Sequence, residues 1–460
     1  MRRALATLVL LGGTSACFLV YGFDHFDDTA TPDGGVLPLS LVAPASVLIE
    51  PGTSVVLDVR VAGRDAGAVT ITATPDDAAS IAITPMPVDG GVAFTLATPA
   101  SLAASIHAVH LRADDGTTTA ERDVRVDVEG VPCHLDRGFA DAGVATVPID
   151  GTPSALVVTE EAMTLGTSNA VARLTTAGQV AWSTPRNRTF ALAVDDRGRT
   201  VVLAATGLSR LDPGGAGDPS FADNGSTAND CVDVALVGGT IVMLCGNAIG
   251  RWFLYHYDDA GTLLTTSPIV FGDGSAPVAH ALTAHQAGLV ACGTDERGHG
   301  FASFARWSAP DTVDTSFGVG GRFLLADDTS ASACVGQGSA VVAAGTWGGA
   351  PALYAIDTKG VPQPSFGDGG VALLASDTQV ASLVDLVTDR SQLVALVRRP
   401  FGSYLLRLSA NGAVDSTFGA CVLDALGLPG PTRIAVTSNR RLVVLASDGS
   451  GGVRVGRLWL

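Results

Sequence analysis

Short segments in which apolar and polar residues alternate recur along the chain from Leu39 to Leu460. A period of two is that of β-strands with one buried face. Turn residues such as Pro51-Gly52 separate the segments, and no long, uniformly apolar run lies between them. The pattern predicts an all-β protein, and a length of 460 residues allows two or three domains.

The first domain is predicted between residues 39 and 130, where candidate strands follow one another at short spacing. These strands are Ser46–Ile49, Ser54–Val61, Ala68–Ala73, Ser80–Thr84, Gly91–Ala97, Ile106–Ala113 and Thr118–Val128. Their number and spacing resemble the immunoglobulin-like modules of bacterial surface proteins, although the segment contains neither cysteine nor tryptophan. The resemblance implies an immunoglobulin-like β-sandwich that acts as a spacer or an adhesive unit.

A repeated segment organises the remainder of the chain. It reads Asp314-Thr315-Ser316-Phe317-Gly318-Val319-Gly320-Gly321 and returns as Gln363-Pro364-Ser365-Phe366-Gly367-Asp368-Gly369-Gly370. Looser copies surround Phe139, Phe221, Phe271 and Phe418. Successive phenylalanines of the motif are mostly about 50 residues apart, and the first interval corresponds to two shorter units, a period typical of β-propeller repeats.

A second marker, a strand end that precedes a turn, gives the number of units. It recurs as Ala172-Arg173-Leu174, Ser209-Arg210-Leu211, Tyr255-His256-Tyr257, Ala305-Arg306-Trp307, Tyr354-Ala355-Ile356, Leu406-Arg407-Leu408 and Gly456-Arg457-Leu458. Each unit reads as four strands. In the sixth unit they are Val371–Ala375, Ala381–Leu386, Gln392–Val397 and Tyr404–Ser409. Residues 131–460 are therefore predicted to form a seven-bladed β-propeller, because four antiparallel strands per unit make a propeller blade.

The two ends of this domain complement each other. The last unit stops just after Arg457-Leu458, without the turn and the Phe-Gly segment. Those pieces stand instead at the start of the domain, in the run from His134 to Phe139. We expect the first strand of the domain to complete the last blade, since such closure removes exposed sheet edges.

The units resemble delta-60 repeats, whose pattern includes a Leu-Asp-x-Ser-Phe-Gly-x-Gly-Gly segment. The segments Asp314–Gly321 and Gln363–Gly370 match it best, and the resemblance extends over about Cys133 to Leu460. Proteins with these repeats are mostly bacterial and exported. The family brings no catalytic residues and no cofactor, so none are assigned here.

The N-terminus reads as an export signal. Arg2 and Arg3 precede an apolar run from Ala4 to Leu11, and Thr14-Ser15-Ala16-Cys17 resembles a bacterial lipobox. We expect residues 1–17 to be a signal peptide, Cys17 to carry the lipid, and residues 18–38 to be a flexible tether. The alternatives are secretion after cleavage behind Ala16 and an uncleaved helix from Ala4 to Phe23.

The net charge is -17 and no cluster of Lys and Arg is present. This argues against nucleic acid and against an anionic lipid surface as partners, so membrane contact is expected through the lipid anchor alone. The predicted place is the cell envelope, as a lipid-anchored monomer on the outer membrane or the cell surface.

Seven cysteines are present, and six remain if Cys17 carries lipid. An even number suits disulfides in an oxidising compartment, but buried free thiols are an equal alternative. Cys231 and Cys245 flank a hairpin turn, and Cys292 and Cys334 occupy corresponding strands of neighbouring units. The candidate pairs are therefore these two, with Cys133–Cys421 left over.

No catalytic or metal-binding motif stands out. Asp141, Asp223, Asp273 and Asp368 could line one rim and bind cations, but the motif is better explained by packing. The sequence favours a non-enzymatic binding or scaffolding platform for an unknown envelope protein or glycan, with no cofactor and no metal site. The alternative is a carbohydrate-active propeller enzyme, a hydrolase or a lyase. Acids that converge at the channel with shifted pKa values would favour the enzyme.

Overall fold

The computed structural model describes residues 39–49, 54–62, 69–88, 91–99, 105–128, 132–222, 230–247, 251–271, 277–286, 288–295, 300–309, 312–374, 382–416, 418 and 421–460. The predicted signal peptide, the tether and Cys17 lie outside these residues. All regular structure in the described ranges is β, apart from a short 3-10 helix at Asp424–Leu426. Within these ranges no helix is both long enough and apolar enough to cross a bilayer.

The N-terminal strands form two four-stranded sheets that share one core. The strands are β1 Ser40–Val42, β2 Ser46–Ile49, β3 Ser54–Ala62, β4 Thr70–Pro75, β5 Ala82–Val88, β6 Gly91–Ala97, β7 Ser105–Asp114 and β8 Thr119–Val128. One sheet has the order β1-β3-β6-β5 and the other β2-β8-β7-β4. Alternate residues such as Leu57 and Val59, or Val124 and Val126, point into the core, as the period of two requires.

Seven further sheets follow among the described residues and are numbered I to VII. Sheet I contains β10 Pro153–Val158, β11 Ala162–Thr167, β12 Ala170–Thr175 and β13 Val180–Pro185. Sheet II contains β14 Thr189–Val194, β15 Thr200–Ala204 and β16 Gly207–Leu211. Sheet III contains β17 Cys231–Val237, β18 Thr240–Asn247, β19 Arg251–Tyr257 and β20 Leu263–Val270. Each is an antiparallel meander, so every strand pairs with the next one along the chain.

Sheets IV to VII repeat this plan with small variations. Sheet IV contains β21 Pro277–His285, β22 Gly288–Asp295, β23 Phe301–Ala309, β24 Thr312–Val313 and β25 Arg322–Asp327, and sheet V contains β26 Thr329–Gln337, β27 Ala340–Trp347, β28 Ala350–Asp357 and β29 Val371–Leu373. Sheet VI contains β30 Ser382–Asp389, β31 Gln392–Arg399, β32 Gly402–Leu408 and β33 Cys421–Val422. Sheet VII contains β34 Pro431–Val436, β35 Arg441–Ser447 and β36 Gly452–Trp459. The fourth strand of sheet VII is β9 Val144–Asp150, from the start of the region, which pairs antiparallel with β36.

Apolar clusters join the sheets face to face. One cluster lies between each successive pair of sheets, and another combines sheet VII with sheet I through Val443 and Leu445 against Met163 and Leu165. The second strand of each sheet is accordingly buried on both faces, as in β11 and β22. The first strands β10, β14, β17, β21, β26, β30 and β34 contact one another in turn, and β34 contacts β10. This radial arrangement of sheets is that of a β-propeller.

The sheets are offset by one strand from the units read in the sequence. We predicted Val371–Ala375 as the first strand of the sixth unit, but β29 pairs with β28 as the outer strand of sheet V. The motif around Phe366 thus leads out of one sheet's third strand and into its fourth. Each of the seven strand-end markers lies on the third strand of its sheet.

Where the repeated motif is present, its phenylalanine packs between one sheet and a turn of the next. The ring of Phe366 is buried, and the N–H of Gly367 donates 2.8 Å to the carbonyl oxygen of Asn411, in a turn of sheet VI. A Cβ added to Gly412 of that turn would lie 2.8 Å from the Phe366 ring. Phe317 is placed in the same way, since Gly318 donates to Lys359 at 2.7 Å. The motif residues therefore serve packing between sheets.

One of the looser copies is not equivalent. Phe271 follows the fourth strand of sheet III, whereas Phe317 and Phe366 precede a fourth strand. Its ring packs against Trp252 with 4.4 Å between centroids. The expectation that Phe271 belongs to the motif series was therefore wrong, because β19 and β20 are joined by a short turn that leaves no room for the motif.

Candidate functional site: the axial cavity

Each innermost strand carries a β-bulge at the same place. The pairing of the first strand with the second shifts register around one extra residue in all seven sheets. These bulge positions are Ser154, Phe190, Val232, His280, Ser332, Val384 and Thr432. A bulge bends its strand and re-aims the neighbouring side chains, and such features are common next to functional sites.

The bulges surround a cavity of about 190 Å³ on the axis of the sheets. Its wall consists of residues at the bulge position and at the two positions that follow it. The residue directly after each bulge, here called the lumen position, lines the cavity in all seven strands. These residues are Ala155, Ala191, Asp233, Ala281, Ala333, Asp385 and Arg433. Four alanines and three charged residues thus occupy one level of the ring.

Asp233 and Asp385 are held by the same set of hydrogen bonds. One carboxylate oxygen of Asp233 accepts from the N–H of Val234 at 2.8 Å, and the other accepts from Leu282 of the next sheet at 2.7 Å. Asp385 accepts from Leu386 at 3.0 Å and from Ile434 of the next sheet at 2.8 Å. Each carboxylate therefore connects two neighbouring sheets at the level of the bulge.

Burial raises the pKa of both carboxyl groups. The pKa of Asp233 rises to about 6, because desolvation outweighs the two backbone N–H groups and the more remote Arg433. Desolvation also raises the pKa of Asp385, and the positive charge of Arg433 is the largest opposing influence on it. The cavity therefore contains one carboxyl group that titrates close to neutral pH.

Arg433 and His280 complete the polar wall. Arg433, on β34, donates through Nη1 to the carbonyl oxygen of Thr432 at 3.0 Å and is half-buried. His280, at the bulge of β21, is more exposed. Phe190 and several leucines form the apolar part of the lining. This mixture of a compact apolar wall and a few charged groups is typical of small-ligand sites.

The structure forms two of the three candidate disulfides. Cys231 is bonded to Cys245, and Cys133 is bonded to Cys421. Cys292 and Cys334 are both buried and free, so the third expected pair is absent. Burial and contact with the Cys334 thiol raise the pKa of Cys292 well above the usual range. The two thiols meet between sheets IV and V, and Cys334 also lines the axial cavity.

The acidic turns that the structure describes do not combine into a metal site. Asp141 and Asp368 are exposed in different sheets, and Asp223 and Asp273 lie outside the described residues. Within the described ranges, His, Cys, Asp and Glu side chains nowhere form a group of three that could hold a metal ion. The Asp at the start of the motif, before its phenylalanine, has a local role. Asp415, for example, pairs with Arg407 at 2.9 Å.

Sequence reasoning missed the axial site. Its charged members are single residues on three innermost strands that lie far apart in the chain. Only the shared register of the bulges reveals that Asp233, Asp385 and Arg433 occupy one level. An alignment of the innermost strands by their apolar pattern would have shown charged residues where the other strands carry alanine.

Comparisons with known proteins concern the fold. No protein-family model and no curated protein matches the chain. Similar solved structures include the β-propeller domain of the Trilobed protease from Pyrococcus furiosus, with 8% identity over 67% of this chain and 96% of that one, at a TM-score of 0.43. Sqt1 from Saccharomyces cerevisiae has 10% identity over 77% of this chain and 93% of its own, at a TM-score of 0.41. PorZ, a surface component of the type-IX secretion system of Porphyromonas gingivalis, has 9% identity over 68% and 46%, at a TM-score of 0.31.

Proposed function

We propose that this chain is a lipid-anchored binding protein of the bacterial cell envelope, whose axial cavity receives a group of its ligand. In this proposal Cys17 carries the lipid, the N-terminal sandwich is an immunoglobulin-like spacer, and the repeats form a closed, seven-bladed propeller. The ligand is an envelope protein or a glycan. The protein acts as a monomer.

The closed ring is supported by contacts at the seam. Sheets VII and I share an apolar cluster, and β9 pairs with β36 through residues such as Val147 and Val453. The innermost strands β34 and β10 also contact each other. A ring closed in this way has no free sheet edge at its seam.

One observation carries the proposal of binding. Three charged residues replace alanine at the lumen position of an otherwise regular ring. Charged groups inside a cavity are costly unless they are compensated, so a purely structural ring gains nothing from them at this level. The oxygens of Asp233 and Asp385 are all engaged by backbone N–H groups, which favours positioning and recognition over proton transfer.

The test is to fill the cavity. We expect Ala281→Leu to abolish the binding of ligands found on a glycan array or in a panel of small molecules, because its side chain would enter the lumen. Ala413→Leu, at an exposed turn, is the matched control and is expected to bind like the unmodified chain. Equal binding by both variants would place the ligand elsewhere.

A second candidate function is glycoside hydrolysis or elimination. It is favoured by two carboxyl groups with raised pKa in one cavity, since a carboxyl group that holds its proton more firmly can act as a general acid. The unmodified chain would then release product from extracellular polysaccharides, and Asp233→Asn or Asp385→Asn would abolish the activity. Turnover that is unchanged in both variants would reject this candidate.

The predicted lipid anchor is tested by a separate measurement. Mass spectrometry of the mature N-terminus should find an acylated Cys17. A free N-terminus at Cys17 would indicate simple secretion, and an intact Met1 would reject cleavage altogether.

A further inference from the structure

We propose that the axial cavity binds a compact organic cation, a protonated amine or a quaternary ammonium group, with Asp233 as its counter-ion. This inference rests on the proposed function of the cavity and specifies its ligand class. Three features of the cavity favour such a ligand: the placement of its charges, its aromatic residue and its size.

The charges of the ring do not balance. Arg433 and Asp385 lie at the lumen positions of β34 and β30, which contact each other directly, so their opposite charges compensate locally. Asp233 lies on β17, on another arc of the ring, and takes part in none of the ion pairs among the described residues. Its two partners are backbone N–H groups, which leave the negative charge in place. Two carboxyl groups and one guanidinium stand at the lumen positions, so an ionised Asp233 leaves the cavity with a net negative charge that attracts a cationic ligand.

The same cavity also contains an aromatic ring. Phe190 is the bulge residue of β14, the innermost strand next to β17, and it lines the same cavity as Asp233. The ring already receives one cation, because the guanidinium of Arg188 lies 5.4 Å from its centroid. An aromatic face together with a carboxylate favours ammonium groups, including quaternary ones that donate no hydrogen bond.

The remaining wall sets the size and polarity of the ligand. Leu156, Leu192 and Leu282 are apolar and suit the carbon atoms of an alkylammonium ion. A cavity of about 190 Å³ holds a small organic ion and excludes a folded segment. The ligand is therefore a free small cation or the terminal cationic group of a larger molecule.

Binding is linked to a proton on Asp233. The groups that face it are His280 on β21, Asp385 and Arg433 across the ring, and the thiols of Cys334 and Cys292 behind β21. Protonation of Asp233, whose pKa is raised to about 6, removes the counter-ion. This weakens cation binding, so the affinity falls as the pH is lowered from 7 to 5.

The experiment is calorimetric titration of the full chain with tetramethylammonium and propylammonium chloride, against 1-propanol and propionate. We expect both cations to bind at least about tenfold more tightly than the neutral and anionic probes, a difference of roughly 1.4 kcal/mol. Asp233→Asn should weaken cation binding by about tenfold or more, and Phe190→Leu should weaken tetramethylammonium binding by roughly 2- to 30-fold.

Asp357→Asn is the matched control, because Asp357 also accepts two backbone N–H groups, from Lys359 and Val361, in a turn outside the cavity. It should retain most of the cation binding, while circular dichroism shows whether either Asn variant is folded. Cation binding that is unchanged in folded Asp233→Asn, or a preference for propionate, would overturn the ligand class but leave the cavity as a binding site. If no cation binds, the cation proposal fails. The proposed function also fails if, in addition, glycans and small molecules bind Ala281→Leu as tightly as they bind the unmodified chain.

Discussion

Single residues determine how the seam between the ends of the repeat region is held. Asp136, which precedes β9, accepts from Nε of Arg457 at 2.8 Å and from Nε of Arg441 at 3.3 Å, and all three side chains are almost fully buried. The guanidinium of Arg441 also stacks over Trp459. Burial lowers the pKa of Arg441 to about 10, although Asp136 and Asp127 oppose this shift. The two buried cations are compensated by Asp136, which they share, and by Asp127, whose Oδ1 lies 3.9 Å from Nη2 of Arg441.

We therefore expect Asp136→Asn to reduce the free energy of unfolding by about 3–5 kcal/mol, since it leaves buried guanidinium groups without their partner. Urea unfolding followed by circular dichroism measures this. Asp415→Asn removes the equivalent partner of Arg407 at a more accessible pair, and about 1 kcal/mol is expected. Equal losses in the two variants would contradict a special role of the seam.

The raised pKa of Asp233 should make the free energy of unfolding depend on pH. Its pKa is raised to about 6 in the fold, above the ordinary value of 3.8, so the folded chain binds more protons than the unfolded chain between these values. Stability from this group is present at low pH and is lost as the pH rises through about 6. The unfolding free energy of the unmodified chain, minus that of Asp233→Asn, should therefore decrease from pH 4 to pH 7. A difference that stays constant would show that the carboxyl group titrates normally.

At the scale of elements, the contact between a phenylalanine and a turn glycine sets the spacing of the sheets. Gly412 has φ of +81°, and a Cβ there would lie 2.7 Å from Ala372 and 2.8 Å from the ring of Phe366. Gly349 has φ of +74° with open space around it, so Gly349→Ala isolates the backbone strain. We expect Gly412→Ala to lower the unfolding free energy by about 1–3 kcal/mol more than Gly349→Ala, because it adds a clash. Denaturant titration of both variants tests this. Equal losses of unfolding free energy would mean that the Phe366 ring moves aside and the added Cβ causes no clash.

Elements are also the scale at which the sequence was most informative. Ser46–Ile49 and Gly91–Ala97 were predicted with the bounds that the structure has, because alternation and turn residues define them. The three-residue strand Ser40–Val42 was missed, since so short a segment shows no period. Which sheet a strand joins depends on pairing between distant residues, so the offset of β29 was not visible in the pattern. The axial site escaped for the same reason, since a local pattern contains no information on which lumen residues meet.

At the scale of the whole molecule, the two disulfides close loops of very different length. Cys133–Cys421 spans 288 residues and ties the segment before β9 to the outer strand of sheet VI, whereas Cys231–Cys245 spans 14 residues within one hairpin. A disulfide constrains the unfolded chain more strongly when it closes a longer loop. The expected stabilisation is about 5 kcal/mol for the long loop and about 3 kcal/mol for the short one. Replacing the first pair by alanine should therefore lower the melting temperature more than replacing the second. The reverse order in differential scanning calorimetry would contradict this account.

The one-strand offset between sequence units and sheets has a consequence for how such a protein can change its size. The strand that follows the motif joins the preceding sheet in the case of β25, β29 and β33, and β9 completes sheet VII in the same way. Duplication or loss of a whole unit in the gene would leave the same two strands to meet at the junction. The number of sheets could thus increase or decrease by one while the ion pairs of Asp136 at the junction remain. The width of the axial cavity would change with the number of sheets.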